Sequence, residues 1–446
     1  MILIARGIRW YGLYVFLVLL PLVTAFASGA NRISQPFLVE TAVGLGFIGF
    51  SLMALEFALI SRIDSAAEPF GEDSLQLFHN LMGITALAFI LAHPTMLFIA
   101  GYPANCWLNP FSNCSNIATQ TASVAVFILL LLVSSSIWRK RLHLRYEFWY
   151  VLHGVFALLV LGLAMVHIFI IGRYTSTTVM KVAWLVYGVM VIGLIIRYKI
   201  YAPLRNWRKP WEVIENRRER GDAHTLVLRP IGHPGWPFQA GQFAWIKAGR
   251  TPLHLGQHPI SLSSKGDLSP DGVLAFTIKN LGDWSGKEVP ALQPGDRVWL
   301  DGPYGVFTMD RHQAMGYVFI GGGVGITPLY SMLQTMVERE DRRPVLLFYG
   351  SSDPENLTFR EQLEELAASG KINLTFVPVI ENPQEDWQGE TGFINAAVMK
   401  KYLPRQYKRF VYLICGPKPL MDAMEKALPE LGVPAQNVIT ERFDMV

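Results

Sequence analysis

The 446-residue chain has little charge and little cysteine. Charged residues make up 17% of it and the net charge is only +4, so the overall balance gives no reason to expect a nucleic-acid partner. Three cysteines are too few for a disulfide-stapled scaffold. Because 51% of the residues are hydrophobic and the mean hydropathy is +0.28, a disordered or collagen-like chain is excluded as well.

Long apolar runs are confined to residues 1–200, whereas the remainder has an ordinary globular composition. Six of these runs reach the roughly 20 residues that a helix needs to cross a bilayer. They lie at 10–28, 40–60, 75–100, 120–138, 146–171 and 179–198. The sequence therefore predicts an integral membrane domain over residues 1–205, with the lipid bilayer as a partner, followed by a soluble half.

An even number of spans places both termini on one side of the membrane. Twelve Lys and Arg residues flank the spans on that side, against three on the opposite side. The positive-inside rule then predicts that the N- and C-termini and the soluble half are cytoplasmic. A cleaved signal peptide remains an alternative for the first span, because Ala25-Phe26-Ala27 has the small-residue pattern of a cleavage site.

Two of the three cysteines, Cys106 and Cys114, fall in the loop after the third span, on the predicted external side. An external compartment permits a bridge, so we expect a structural disulfide, with two free thiols as the alternative. Cys415 lies in the cytoplasmic half, where we expect it to be reduced.

Four of the ten histidines lie inside apolar spans, where an ionisable group is costly and indicates a function. His79 and His93 are in the third span, and His153 and His167 are in the fifth, so both pairs are 14 residues apart. Fourteen residues fall about 40° short of four helical turns and rise about 21 Å, so each pair shares one helix face at two membrane depths. The two spans run in the same direction, which places His79 level with His153 and His93 level with His167.

Two facing imidazoles at each depth are the axial ligands that a haem iron takes, one on each side of the macrocycle. We therefore expect two b-type haems, an inner one between His79 and His153 and an outer one between His93 and His167. Two alternatives remain open. The histidines are hydrogen-bonded polar residues of the helix interfaces, or they form a proton relay, which usually includes acidic residues.

Past Pro210 the sequence changes to short β-rich runs separated by Gly and Pro, which predicts a small antiparallel barrel over residues 210–308. From Tyr317 strands alternate with helical stretches, which predicts an α/β, Rossmann-like parallel sheet over 314–446. The first strand of that sheet leads into Gly321-Gly322-Gly323-Val324-Gly325-Ile326-Thr327-Pro328 and then a helix. Glycines let backbone N–H groups approach a pyrophosphate at a helix N-terminus, whereas a plain tight turn is the alternative.

Two further motifs lie in the predicted barrel. His258-Pro259-Ile260-Ser261-Leu262-Ser263-Ser264 follows a strand and supplies hydroxyl and backbone donors. Gly282-Asp283-Trp284-Ser285 supplies a second small-residue turn. Each motif also has an ordinary structural interpretation, as a hydroxyl-rich strand and as a Gly-Asp turn.

Together these residues resemble the ferric reductase and NADPH oxidase superfamily, in which a six-helix dihaem membrane domain is fused to a ferredoxin-reductase-like dehydrogenase. The resemblance covers nearly the whole chain and includes, in order, Asp301-Gly302-Pro303-Tyr304-Gly305, Cys415-Gly416-Pro417 and Glu441-Arg442-Phe443. It implies a six-helix transmembrane bundle, a cytoplasmic antiparallel β-barrel that binds FAD and an α/β domain that binds NAD(P)H. For a bacterial-type member it also implies the inner membrane.

The resemblance also implies site residues. Those expected to contact FAD are His258, Pro259, Ile260, Ser261, Ser264, Gly282, Trp284 and Ser285. Those expected at the nicotinamide nucleotide are Gly321, Gly322, Gly323, Gly325, Thr327, Gly416 and Pro417. Cys415 is expected near the nicotinamide and Phe443 over the flavin ring, although three residues follow Phe443 here.

Coenzyme choice depends on the residues after the second strand of the α/β domain. Ser351, Ser352 and Arg360 supply hydroxyls and a guanidinium for a 2′-phosphate, which favours NADPH. Asp353 is able instead to accept a hydrogen bond from a 2′-hydroxyl, so NADH remains the alternative.

The predicted activity is that of a transmembrane oxidoreductase, in which cytoplasmic NAD(P)H reduces FAD and electrons pass through two haems to an external acceptor. The loop at 101–119 has no Lys or Arg to attract an anionic ferric chelate, which favours O2 as acceptor and superoxide as product. Ferric-chelate reduction is the alternative, because Leu97 stands where animal oxidases have a histidine. Two other classes remain, an electron-transfer subunit for a membrane partner or quinone and an ion transporter with intramembrane histidines.

Overall fold

A computed structural model describes residues 2–28, 35–109, 111–113, 115–172, 174–249, 251, 256–267 and 272–442. Phe443 and Cys114, for which the sequence predicted a flavin contact and a disulfide, lie outside the described residues. The chain divides into two compact units, formed by 1–70 with 74–201 and by 71–73 with 202–446. The finer division into three domains at 1–205, 210–308 and 314–446 stays a prediction.

In the part of the chain that the structure describes, the first unit contains six apolar helices long enough to cross a bilayer. They are Ile2–Ala27, Phe37–Leu59, Glu72–Ile99, Ile117–Ile137, Tyr146–Ile171 and Thr178–Ile195. Short helices at Asp64–Phe70 and Asn105–Leu108 lie between them, and a π-helical turn at Ile196–Tyr201 follows the last. The six predicted spans are confirmed. Each helix begins at or before its predicted first residue.

Local sequence sets the ends of these helices. The Asn116 side chain accepts a hydrogen bond from Thr119 N at 3.0 Å, and the Thr119 hydroxyl accepts one from Asn116 N at 2.8 Å. This capping box begins the fourth span. Gly172 ends the fifth span with a φ of +67°, a left-handed conformation that glycine adopts without strain.

The second span lies in the core of the first unit. Phe47 and Phe50 pack edge-on against Trp184 of the sixth span, with ring centres 5.3 and 5.1 Å apart. The third span, in contrast, buries only Ala86 among its described residues.

The second unit begins with the helix Ala202–Trp207 and a six-stranded antiparallel sheet. The strands are β1 (Pro210–Glu219), β2 (Ala223–Pro230), β3 (Phe243–Ala248), β4 (His258–Ser261), β5 (Leu274–Lys279) and β6 (Arg297–Tyr304). Their order is β4-β3-β6-β1-β2-β5. Apolar residues at alternating positions, such as Leu226 and Leu228 on β2, fill one face of the sheet. A π-helical turn at Trp284–Glu288 and the short helix Val289–Ala291 follow β5.

A six-stranded parallel sheet completes the second unit. Its strands are β7 (Tyr317–Gly322), β8 (Val345–Ser351), β9 (Leu374–Ile380), β10 (Glu390–Thr391), β11 (Val411–Gly416) and β12 (Val438–Arg442), in the order β10-β9-β8-β7-β11-β12. The connecting helices are Ile326–Glu338, Arg360–Ser369, Ala396–Tyr402 and Lys418–Glu430. Every residue of β7 and β11 is buried, as in a parallel sheet covered on both faces. The predicted fold class, a helical membrane bundle followed by an antiparallel β-barrel domain and an α/β domain, is confirmed.

Candidate functional site

The four histidines of the third and fifth spans meet in two pairs. The ring centres of His79 and His153, the inner pair, are 6.3 Å apart. Those of His93 and His167, the outer pair, are 6.5 Å apart. The helical spacing predicted these two pairings. The role of the four side chains as iron ligands stays a prediction.

At the outer pair, each Nδ1 faces a backbone carbonyl. His93 Nδ1 lies 2.7 Å from the carbonyl oxygen of Ala42, and His167 Nδ1 lies 2.8 Å from that of Ala118. A carbonyl oxygen only accepts, so both Nδ1 atoms carry the ring proton and donate it. Nε2 of each ring therefore keeps a lone pair for a metal.

At the inner pair, the two Nδ1 atoms have different partners. His153 Nδ1 lies 3.2 Å from the Ser136 hydroxyl, which donates its own proton to the Leu132 carbonyl at 2.7 Å and so accepts from the ring. His79 Nδ1 contacts the carboxylate of Glu56, on the second span. An acceptor at each Nδ1 again leaves Nε2 as the nitrogen available to a metal.

The spacing and the donor set fit one iron between the rings of each pair. Metal–nitrogen bonds of about 2 Å on both sides, plus half of each ring, put the ring centres about 6 Å apart. Among the described residues, no group of three or more His, Cys, Asp or Glu side chains could hold a bare metal ion. An ion held between two imidazoles would therefore need further ligands, which the ring nitrogens of a haem would supply.

The Nδ1 partners argue against a continuous proton relay through the four rings. Both outer rings donate directly to backbone carbonyls, and His153 donates to a hydroxyl that itself donates to a backbone carbonyl. Among the described residues, His79 is the one of the four histidines for which a contact with an acidic side chain is seen, that of Glu56. Proton relays through membranes usually use several acidic groups in series.

Sequence reasoning missed the acceptors of the four histidines. Glu56 could have been identified from the sequence, because an acidic residue inside the predicted second span indicates a function. The sequence evidence for Ser136 is weaker: it is the last of three consecutive serines near the end of the fourth span. The carbonyls of Ala42 and Ala118 could not have been identified in this way, because every residue has a backbone carbonyl.

In the antiparallel sheet, the structure brings the two predicted flavin motifs together. The rings of His258 and Trp284 stack, with centres 3.9 Å apart and planes 16° from parallel. Pro259 and Ile260 lie on β4 between His258 and Ser261. The Ser261 hydroxyl is buried and has no hydrogen-bond partner among the described residues. A buried hydroxyl without a partner at this position fits a polar ligand such as FAD.

Two other predicted flavin contacts have structural partners. The Ser264 hydroxyl accepts a hydrogen bond from Ala275 N at 3.1 Å. The Ser285 hydroxyl accepts from Leu281 N at 2.9 Å and from Gly282 N at 3.1 Å. These hydroxyls stabilise a strand and a turn, and their contact with a flavin stays a prediction.

The glycine-rich loop has the strand–turn–helix geometry that its sequence predicted. β7 ends at Gly322, a 3-10 turn covers Gly323–Gly325, and the helix Ile326–Glu338 follows. Gly323 has a φ of +54°, in the left-handed region that favours glycine. The Thr327 hydroxyl donates to a backbone carbonyl of the turn at 2.7 Å. The loop thus presents a helix N-terminus, which favours a phosphate group.

The Cys415-Gly416-Pro417 motif lies beside this loop. β11 pairs in parallel with β7, and Cys415 is in register with Gly321. A Cβ added to Gly325 would come 2.2 Å from the Cys415 carbonyl oxygen, so only glycine fits there. The two motifs meet at the carboxyl ends of neighbouring parallel strands, which is where α/β sheets bind ligands.

Cys415 is a buried free thiol. Glu441 lies beside it on β12 and is also buried. Burial raises the pKa of the Cys415 thiol well above its ordinary value, and the neighbouring Glu441 carboxyl raises it further. Cys415 is therefore a neutral thiol near neutral pH, not a thiolate nucleophile.

Of the residues predicted to select the coenzyme, Ser351 is the last residue of β8, and Ser352, Asp353 and Arg360 follow it. The Ser352 hydroxyl accepts a hydrogen bond from Asn356 at 3.0 Å. The Arg360 guanidinium donates to Glu364 at 2.8 Å and lies 5.5 Å from the Trp387 ring centre. To bind a 2′-phosphate, Arg360 must therefore give up its ion pair with Glu364, which reduces the binding free energy that Arg360 contributes to NADPH.

Cys106, in the loop after the third span, is disulfide-bonded. Its predicted partner, Cys114, lies outside the described residues. The placement of this loop on the external side of the membrane stays a prediction.

Two protein families match different parts of the chain. Residues 45–164 match the family described as ferric reductase like transmembrane component. Residues 319–426 match the oxidoreductase NAD-binding domain. The first match contains three of the four paired histidines, and the second contains the glycine-rich loop and the Cys-Gly-Pro motif.

Curated relatives are similar to part of the chain. A flavohemoprotein of Bacillus subtilis is 29% identical over 242 residues, which are 53% of this chain and 59% of the relative. NADH-cytochrome b5 reductase 1 of Lodderomyces elongisporus is 30% identical over 210 residues, 44% of this chain and 69% of the relative. The chain thus spans little more than half of the flavohemoprotein.

Among solved structures, the flavohem-like FAD/NAD-binding domain of nitric oxide dioxygenase from Vibrio cholerae O1 biovar El Tor is similar to this chain. Its sequence identity is 22% and the TM-score is 0.47. The similarity covers 53% of this chain and 98% of that domain.

Proposed function

Because the chain belongs to the ferric reductase and NADPH oxidase superfamily, we propose that it is a membrane oxidoreductase that transfers electrons from NAD(P)H through FAD and two b-type haems to an acceptor across the membrane. The observation that carries the proposal is the pairing of four histidines at two levels, with ring centres 6.3 and 6.5 Å apart. FAD, when bound, accepts a hydride and releases single electrons, which haem carries one at a time.

In this proposal the chain holds the two haems through the Nε2 atoms of the inner and outer histidine pairs. The Ala42, Ala118 and Ser136 oxygens and the Glu56 carboxylate keep each Nδ1 protonated and each ring oriented. Since the four histidines would supply two imidazoles to each iron, the acceptor would take electrons without binding to iron.

The second unit supplies the flavin and nucleotide sites in this proposal. His258, Trp284 and the buried hydroxyl of Ser261 form the flavin side. The glycine-rich loop with its helix N-terminus binds the nucleotide pyrophosphate. Cys415 lies at the carboxyl end of β11 next to this loop and contributes a neutral thiol near the nicotinamide.

The histidine assignment is tested by counting haem in single variants. We expect His79→Ala, His93→Ala, His153→Ala and His167→Ala each to lower the haem content from two to about one per chain, because an iron that loses an axial imidazole is held weakly. His224→Ala is the matched control, since His224 lies on β2 and bonds to Asn216 at 2.9 Å. Pyridine-haemochrome titration measures the outcome, and unchanged haem in a span variant would remove that residue from the ligand set.

For the acceptor we propose O2, with superoxide as the product. The support is that the loop at 101–119 has no Lys or Arg to attract an anionic ferric chelate. The test is NAD(P)H-driven cytochrome c reduction with and without superoxide dismutase, beside ferric-chelate reduction under argon. Dismutase-insensitive flux with fast anaerobic iron reduction would make the protein a ferric reductase instead.

The second candidate function is an electron-transfer subunit that passes electrons to a membrane partner or quinone. The dehydrogenase-type unit in the same chain favours a self-contained enzyme, because it supplies its own electron donor site. NAD(P)H oxidation by the purified chain, with only a soluble acceptor present, distinguishes the two. An absolute requirement for an added quinone or membrane fraction would support the subunit.

A further inference from the structure

The four paired histidines differ in the acceptor at Nδ1. Three acceptors carry no net charge: the carbonyls of Ala42 and Ala118 and the hydroxyl of Ser136. The fourth acceptor, Glu56 at His79, is a carboxylate. Because the carboxylate belongs to the inner pair, the inner and outer levels are electrostatically unequal.

Glu56 is buried at this position. Its side chain is 13% exposed, and neither carboxylate oxygen has another hydrogen-bond partner among the described residues. A buried carboxylate is costly unless a positive group or a strong donor faces it. The N–H of His79 and the positive charge of a ferric iron on the same ring fit that requirement.

We propose that Glu56 is a positioning residue that lowers the reduction potential of the inner haem below that of the outer haem, an inference that rests on the haem sites of the proposed function. A carboxylate acceptor at Nδ1 makes a histidine a more basic ligand. A more basic ligand and a nearby negative charge both stabilise ferric over ferrous iron. The carbonyl acceptors of the outer pair do so less, because they are neutral.

This difference gives the electron path a direction. Transfer from the inner to the outer haem is downhill, and the return step is disfavoured by the same factor. Each tenfold bias in that equilibrium corresponds to about 59 mV between two one-electron couples. The equilibrium between the two haems would thus favour an electron on the outer haem even before the external acceptor reacts.

The test is a potentiometric titration of haem absorbance in the purified full-length protein with its haems bound. Glu56→Gln keeps the shape of the side chain and removes the charge. Glu40→Gln is the matched control, because Glu40 lies on the same helix and its carboxylate accepts from the Tyr174 hydroxyl at 2.9 Å. Ser136→Ala identifies the inner haem, since it removes the acceptor of His153.

The wild-type protein is expected to titrate in two waves, and Ser136→Ala is expected to move the lower one. Glu56→Gln is expected to raise the same wave by about tenfold in equilibrium constant, about 59 mV, at unchanged haem content. Glu56→Asp keeps the charge and is expected to keep most of the low potential, whereas a purely structural role would treat Asp and Gln alike. Glu40→Gln is expected to leave both waves in place.

Two results would overturn the inference: movement of the higher wave by Ser136→Ala, or an unmoved lower wave in Glu56→Gln with both haems retained. If Glu56→Gln loses the inner haem, the wild-type titration tests the inference instead. Ser136→Ala then shows which wave belongs to the inner haem, and the inference requires that this wave is the lower one. A wild-type protein that binds no haem would instead refute the proposed function, and the inference with it.

Discussion

Gly46 of the second span lies against the imidazole of His93, and a Cβ added to Gly46 would come 3.2 Å from His93 Nδ1. That nitrogen already bonds to the carbonyl of Ala42, one helical turn earlier on the same span. The second span therefore positions His93 with two groups, one that bonds to the ring and one that leaves room for it.

Gly46→Ala is expected to displace His93 and to lower the outer haem to about half occupancy, because a tightly packed ring has little room to move. Gly44→Ala is the control, since its Cβ would meet only Leu22, at an ordinary 3.4 Å. Haem content measured by pyridine haemochrome decides the outcome. Equal haem in the two variants would show that the ring adapts to the added methyl group.

Trp284→Ala is expected to weaken FAD binding about tenfold, because the stack on His258 is worth about 0.5–1.5 kcal/mol and orients the histidine as well. Trp284→Phe keeps an aromatic face and is expected to keep most of the affinity. Retained flavin is measured by fluorescence after denaturation, with Trp387→Ala in the α/β domain as the control. An unchanged flavin content in Trp284→Ala would show that FAD binds at a site that does not include Trp284.

Cys415 is expected to react slowly with iodoacetamide up to pH 9 in the native protein, because burial raises the pKa of its thiol. The unfolded thiol titrates near pH 8.5, so the folded state binds the proton more tightly, and stability from this group is present below about pH 8.5 and lost above it. Cys415→Ser is expected to reduce the loss of thermal stability between pH 8 and 10. The same loss in wild type and variant would assign it to other groups.

The basic residues around the spans predict that the second unit is cytoplasmic. A buried Cys415 is a poor site for labelling, so the exposed Lys371 is a better probe position. Lys371→Cys in a Cys415→Ser background is expected to react with an impermeant maleimide only in opened membranes. Cys106 is expected to react from outside after reduction. Labelling of position 371 in intact cells would contradict this prediction and place the second unit outside the cytoplasm.

The sequence predicted the parts of the structure that depend on periodicity. Six apolar runs gave six helices, and the 14-residue spacing paired His79 with His153 and His93 with His167, because helical geometry converts spacing into direction and depth. The glycine-rich loop was also predictable, since a close approach such as that of Gly325 to Cys415 admits no other residue.

Contacts between separate elements were not predictable in the same way. The contact between Glu56 and His79 joins two helices, and no local pattern states which faces of two helices meet. The hydroxyl of Ser285 caps its own turn and the Arg360 guanidinium pairs with Glu364, and neither partner follows from motif residues alone. Side-chain partners of this kind depend on packing, which the spacing of residues in one segment does not fix.

Ala42 and Glu56, the two residues of the second span that contact His93 and His79, are themselves 14 residues apart. The same 14-residue interval therefore occurs in the second, third and fifth spans. Because the second span runs antiparallel to the third, Ala42 lies level with His93 and Glu56 lies level with His79. A single residue inserted between Ala42 and Glu56 would turn one of them about 100° around the helix axis and shift it about 1.5 Å along it. Substitutions within this segment leave the 14-residue interval intact, whereas the insertion or deletion of one residue breaks it, so both contacts depend on the length of the segment as well as on its composition.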